Sequence, residues 1–245
     1  MAPLLLVTLA TVGGILQACF VRADRVGAYR RAAVLKGLAA LAFVLVGATG
    51  ATGATGAAGT VEAPRPEAVA ICLGLALGAV GDVLHALRFV WPARKRLLFN
   101  VGAASFLLGH LAYLTAVVPA CAVPAWGLAA SCALATAVDV AVLPRLVVQS
   151  RAELVAGGAY LAVTSAVVGF AAAGAAAVAL APAAPAAFAR LASGATLAVG
   201  TAAFLSSDVM LAVNNFGGVN SRRLRATSLG TYYAGQMLIA LSLVV

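Results

Sequence analysis

Charge is scarce in this 245-residue chain: 9% of its residues are charged and 64% are hydrophobic. A water-soluble domain is nearer a quarter charged and half apolar. No soluble fold of this length hides so much apolar surface, so the composition excludes that class and predicts a polytopic membrane protein. Short alternating strands, the mark of a membrane β-barrel, are also missing; long unbroken apolar runs argue for helices. The four cysteines (Cys19, Cys72, Cys121, Cys132) lie in or beside apolar runs and form no CxxC pair. That pattern excludes the usual thiol metal and redox motifs and leaves free thiols that behave as small hydrophobes. No GK[ST] follows "GLALGAVGD", which excludes a phosphate loop. Gly74, Gly78 and Gly81 are therefore read as positions where helices pack closely. The N-terminal "MAPLLLVTLATVGGILQACF" lacks the basic region of a signal peptide. Its "LQAC" is a poor lipoprotein box because of Gln17, so a retained first span is expected.

What the chain does have is eight apolar runs near the ~20 residues that cross a bilayer. They cover about 3–20, 32–49, 68–87, 97–118, 124–143, 154–178, 190–213 and 226–245. The expectation is one all-α transmembrane domain over residues 1–245, a bundle of eight helices. "GATGATGATGAAGT" (Gly47–Thr60) is expected to be a flexible low-complexity loop, and "ALAPAAPAAF" a proline-marked turn.

The net charge of +9 does not point to nucleic acid, because the basic residues sit in short breaks between apolar runs. The first, third, fifth and seventh breaks hold thirteen of the sixteen Lys and Arg, against Arg65 and Arg190 in the others. Such a bias places the odd-numbered breaks in the cytoplasm and both termini outside. A multi-pass protein of a cell membrane is expected, and the alanine-rich composition points to a bacterial inner membrane.

A charged side chain at the centre of a membrane helix costs roughly 2.5–3.5 kcal/mol on insertion scales. The polar residues inside spans are Lys36, Asp82, His85, Asn100, His110, Asp139, Asp208, Tyr232, Tyr233 and Gln236. The predicted orientation puts Lys36 about one turn into span 2, and Asp82 six residues before Arg88, roughly 9 Å along the helix. Asp208 stands six residues before Asn214 at the end of span 7. Polar positions from five helices thus converge on the cytoplasmic half. Simpler roles stay open: Lys36 snorkelling to headgroups, an ionic knot of Lys36 with the two aspartates, His85 capping an interface, Asp139 pairing with Arg145.

"GDVLHAL", "FLLGHLAYL", "SDVMLAVNNF" and "YYAGQMLIALS" follow one another at the ends of the spans. Together they make the chain resemble the YhhN-like family, the lysoplasmalogenases, whose eight-helix layout the apolar runs match. Lys36 sits where that family has a lysine, followed here by Gly37 rather than proline, and His85 replaces a more usual apolar residue. The resemblance implies hydrolysis of the vinyl ether bond of lysoplasmalogens to a fatty aldehyde and a glycerophospho-headgroup.

Vinyl ether cleavage needs an acid able to protonate carbon and a group to stabilise the resulting oxocarbenium ion. A carboxylic acid in a low-dielectric site keeps its proton near neutral pH, and a second, ionised carboxylate steadies the cation, as in glycosidases. Asp82 and Asp208 are the expected catalytic pair, tending to share one proton. Lys36 would hold the charged partner or meet the lipid phosphate. His110, Tyr113, Tyr232, Tyr233 and Gln236, with Asn100, would bind the headgroup or place water. Tyr232 and Gln236, four residues apart, share a helix face. The scheme requires no metal or other cofactor; a zinc site would need His85 and His110 with Asp82 or Asp208. Its partners are a lysophospholipid and the bilayer. A transporter and a non-catalytic lipid-binding protein are the alternatives. The first lacks polar marks at the outer face and an inverted repeat, and the second has no use for an acid pair.

Overall fold

The computed structural model describes residues 2–52, 65–148, 150–181 and 187–245. Among them there are eight α-helices and no strand: α1 (Ala2–Arg25), α2 (Tyr29–Thr52), α3 (Pro66–Val90), α4 (Lys95–Ala120), α5 (Pro124–Val142), α6 (Arg151–Leu180), α7 (Ala187–Phe216) and α8 (Arg222–Leu241). The all-helical expectation holds, and each predicted run falls on its own helix, though residues 242–245 of the last run lie past the end of α8.

Local sequence explains the boundaries. Pro66 and Pro124 begin α3 and α5, where a missing N–H costs nothing. Ser150 and Ser221 cap α6 and α8, accepting hydrogen bonds from the amides of Glu153 and Leu224, each at 3.2 Å. Gly27 (φ 77°) and Gly218 (φ 71°) take the left-handed conformation just past α1 and α7.

Most helices outrun the apolar segments that predict them. α6 and α7 have 30 residues each, about 45 Å of helix, enough for hydrocarbon and headgroups together. Arg22 and Arg25 lie in the last turn of α1 and Arg88 in the last turn of α3, so these cations belong to helix C-termini rather than loops. α2 also runs unbroken through Gly37 to Thr52, which makes the start of the Gly47–Thr60 segment helical. Residues 53–60 of that segment lie outside the described residues, as do 182–186 of the proline-marked turn.

Seven helices, α1 to α7, are long and apolar enough to cross a membrane, and large apolar side chains on them, such as Leu4, Ile15, Leu73, Leu108, Leu128 and Val199, are exposed. Lipid, not water, suits such surfaces. α8 is the exception. Its 20 residues make about 30 Å, the thickness of the hydrocarbon core. Arg222, Arg223 and Arg225 at its start and Ser228, Tyr232, Tyr233 and Gln236 further along depress its average hydropathy, yet the last four are buried.

The chain forms two compact units, Met1–Tyr113 and Leu114–Leu243, with the division inside α4. In the first, α1 packs on α2 and α2 on α3. Ser105 of α4 donates to the Leu77 carbonyl of α3 at 2.7 Å. Gly74 and Gly81 do what their spacing predicts: a Cβ on Gly74 would lie 2.2 Å from the Tyr113 ring, and one on Gly81 2.9 Å from the Phe106 ring. In the second unit α5, α6, α7 and α8 pack in sequence. A Cβ on Gly169 of α6 would lie 2.5 Å from the Ser131 backbone nitrogen of α5. Gly200 of α7 and Gly235 of α8 let their backbones meet, since a Cβ on Gly235 would come within 2.8 Å of the Gly200 carbonyl oxygen.

Candidate functional site

The first unit holds a buried ion pair. Lys36 on α2 places Nζ 3.1 Å from an Asp82 carboxylate oxygen on α3, with side chains 4% and 5% exposed. Phe20 of α1 lies beneath the ammonium, its ring centre 5.1 Å from Nζ. Two charges survive among apolar helices when each compensates the other. A Lys36–Asp82 pair fits both an ionic tie between α2 and α3 and a lysine that holds a charged aspartate.

His110 and Tyr113, one turn apart on α4, are also buried in this unit, with rings edge to face at 6.1 Å. The Phe106 carbonyl, which only accepts, takes a hydrogen bond from His110 Nδ1 at 2.8 Å. That fixes the tautomer and leaves the lone pair on Nε2. Asn100 stands apart from these residues on an exposed face of α4. His85 is a structural bridge: Nε2 donates to the Phe99 carbonyl at 3.1 Å, and the ring stacks on Phe99. Arg88 is buried, with its guanidinium 4.8 Å from the Phe89 ring centre and 5.2 Å from that of Phe99.

The second unit holds the other acid. Asp208 on α7 is 8% exposed and hydrogen-bonded to the side chain of Tyr160 on α6. Its Oδ2 is buried without a hydrogen-bond partner among the described residues. Next to it, Ser207 clasps Ser228 of α8. Ser207 Oγ donates to the Ser228 carbonyl at 2.9 Å, and Ser228 Oγ donates to the Ser207 carbonyl at 3.0 Å. Two turns before its end, α8 adds a polar pair: Gln236 Nε2 donates to the Tyr232 hydroxyl at 3.0 Å, the shared face that the four-residue spacing predicts. Phe204 meets Tyr232 edge to face at 5.0 Å, and Tyr233 is buried beside it in sequence.

One sequence expectation changes here, and one residue gains a role the sequence does not assign it. Asn214, which marks the end of span 7, is a structural cap whose Oδ1 accepts from the Ser221 amide at 2.7 Å. Asp139 is half-buried on α5, and Arg145 turns its guanidinium to the Ala141 carbonyl instead of to that acid. Tyr160 is the residue that sequence reasoning passes over. It is the lone aromatic in the first half of α6, and a neutral phenol in an apolar run draws less attention than a charge. Among the described residues no three of His, Cys, Asp and Glu gather closely enough to hold a metal ion.

No curated protein and no solved structure matches the chain. A family model matches residues 31–243, which takes in both acids, Lys36 and the hydrogen-bonded pairs around them, and the chain belongs to the YhhN family.

Proposed function

We propose that the protein is a membrane lipid hydrolase that cleaves the vinyl ether bond of lysoplasmalogen-like lysophospholipids. The observation that carries this reading is the pair of acids buried in apolar helices with opposite partners: a lysine ammonium for Asp82 and a phenol for Asp208. An acid paired with an ammonium is matched as a carboxylate. An acid facing only a phenol has no counter-charge, and the neutral form avoids an uncompensated buried anion. Asp208 is therefore the proton donor and Asp82 the carboxylate.

Asp208 gives its proton to the β carbon of the enol ether, and the electrons of the double bond form the new C–H bond. Asp82 stabilises the oxocarbenium ion, and takes a proton from the water that adds to its carbon. The hemiacetal then breaks its bond to the glycerol oxygen. That oxygen receives the proton held by Asp82, while Asp208 recovers one from the hemiacetal hydroxyl. One water is consumed; a fatty aldehyde and a glycerophospho-headgroup leave, and both acids return to their starting states. The His110 Nε2 lone pair, Tyr113, Tyr232, Tyr233 and Gln236 supply donors and acceptors for the headgroup and water; Asn100, on an exposed face of α4, is left out of that set.

The purified protein in detergent is expected to release one aldehyde per 1-alkenyl lysophospholipid consumed and none from the 1-alkyl analogue, which has no double bond to protonate. Absence of aldehyde, together with lysolipid transfer across proteoliposomes, would replace the hydrolase by a transporter; binding without either would leave a lipid-binding protein.

The proposed topology has eight crossings with both termini outside. It requires α8 to cross, with its polar face turned to protein and its three N-terminal arginines, Arg222, Arg223 and Arg225, in the cytoplasm. A reporter fused after Val245 is expected to be active on the outer side; a cytoplasmic signal would mean seven crossings.

A further inference from the structure

We infer that Tyr160 is a positioning residue for Asp208, an inference that rests on the proposed role of Asp208 as proton donor. The two side chains are hydrogen-bonded across α6 and α7; among the described residues Asp208 Oδ2 has no hydrogen-bond partner, which leaves Oδ1 to accept from the phenol. A phenol that donates to Oδ1 leaves the acid proton on Oδ2, the buried oxygen that has no hydrogen-bond partner among the described residues. The phenol thus selects which oxygen delivers the proton and in which direction.

The surroundings make this hold rigid. Tyr160 packs against the apolar cluster of Val142, Leu161, Val168 and Leu205, which ties α5, α6 and α7 together. On the other flank, the reciprocal Ser207–Ser228 clasp pins α7 to α8 one residue before Asp208. It also occupies the hydroxyl nearest in sequence to the acid. Asp208 is therefore fixed by α6 through its own carboxyl group and by α8 through its neighbour.

The energetic consequence falls on the transition state. When Asp208 gives up its proton, its carboxyl group becomes an anion, and a hydrogen bond to an anion is stronger than one to a neutral oxygen. The Tyr160 bond strengthens as the proton leaves, so it favours the reacting state over the bound substrate and acts on kcat rather than KM.

The test is a double-mutant cycle on the full-length protein in detergent. Tyr160→Phe keeps the ring and its packing and removes one hydroxyl. It is expected to lower kcat roughly ten- to a hundredfold, the worth of one hydrogen bond to a charged group, with KM unchanged and only the small drop in melting temperature that one lost hydrogen bond brings. Combined with Asp208→Asn it is expected to add no further loss, because the acid it serves is gone. Wild-type kcat in Tyr160→Phe beside an inactive Asp208→Asn would overturn the positioning role and leave the hydrolase reading intact. Losses that multiply in the double variant, or that appear in KM and melting temperature together, would also overturn it, since they mark an independent or merely structural residue. Full turnover by Asp208→Asn would remove the acid itself, and the inference with it.

Discussion

Asp208→Asn protein is expected to fold normally and to release aldehyde about a thousandfold more slowly than the wild type. Asparagine matches aspartic acid in size, and its amide oxygen still accepts from Tyr160. What it lacks is a proton to give, and a positioned general acid is worth roughly 10²–10⁴-fold. Protonation of carbon is the difficult step in this chemistry, so no other donor replaces the acid easily. Asp82→Asn is expected to lose activity as well, for a different reason. In the proposed mechanism its carboxylate faces developing positive charge, and the amide offers only a dipole. The two variants differ in a further observable. Asp208→Asn removes a group with no counter-charge and leaves the melting temperature near that of the wild type. Asp82→Asn strands the Lys36 ammonium beside a neutral amide and lowers it. Near-normal turnover in either variant would remove that residue from the mechanism, and equal melting temperatures in both would contradict the assignment of charge.

The sequence makes the helices legible because lipid enforces a simple rule: a segment inside the bilayer satisfies its own backbone, and its side chains are apolar unless protein surrounds them. All eight runs find a helix for that reason. The same rule obscures helix ends. Nothing in it stops a helix where apolar residues stop, which is why Arg88, assigned to a loop by its charge, is a buried residue of α3. It also misjudges α8, whose average is lowered by three terminal arginines and by Ser228, Tyr232, Tyr233 and Gln236, the last four of them buried. At the site, a charge in an apolar run is a strong signal, so Lys36, Asp82 and Asp208 stand out. Their partners do not, because pairing depends on which helix faces which. That Lys36 meets Asp82, that Asp208 meets Tyr160, and that Asn100 faces outward are properties of packing. Spacing within one helix is legible, as Tyr232 and Gln236 demonstrate; spacing between helices is not.

Replacing Lys36 by methionine is expected to produce the largest loss of stability of any single change at the site. Methionine fills the volume of the lysine stem and keeps the contact with Phe20, so packing is nearly conserved. The loss is electrostatic: an Asp82 carboxylate that is 5% exposed keeps no ammonium at 3.1 Å. Removing one partner of a buried ion pair costs about 3 kcal/mol or more, which for a chain of this size lowers Tm by roughly 6–12 °C. The double variant Lys36→Met/Asp82→Asn separates stability from function. With both charges gone there is no uncompensated ion, and much of the lost stability is expected to return, since neutral replacements of buried pairs are often well tolerated. Aldehyde release is not expected to return, because the carboxylate proposed to steady the oxocarbenium ion is absent. A pair kept only to hold α2 against α3 would behave otherwise: stability and turnover would recover together, and Asp82 would then be a packing residue. A Lys36→Met protein with wild-type melting temperature would mean that the ammonium contributes nothing to the fold. An inactive but restored double variant is the result that assigns the buried charge to catalysis, at a site whose ion pair stabilises the protein only as long as both halves are present.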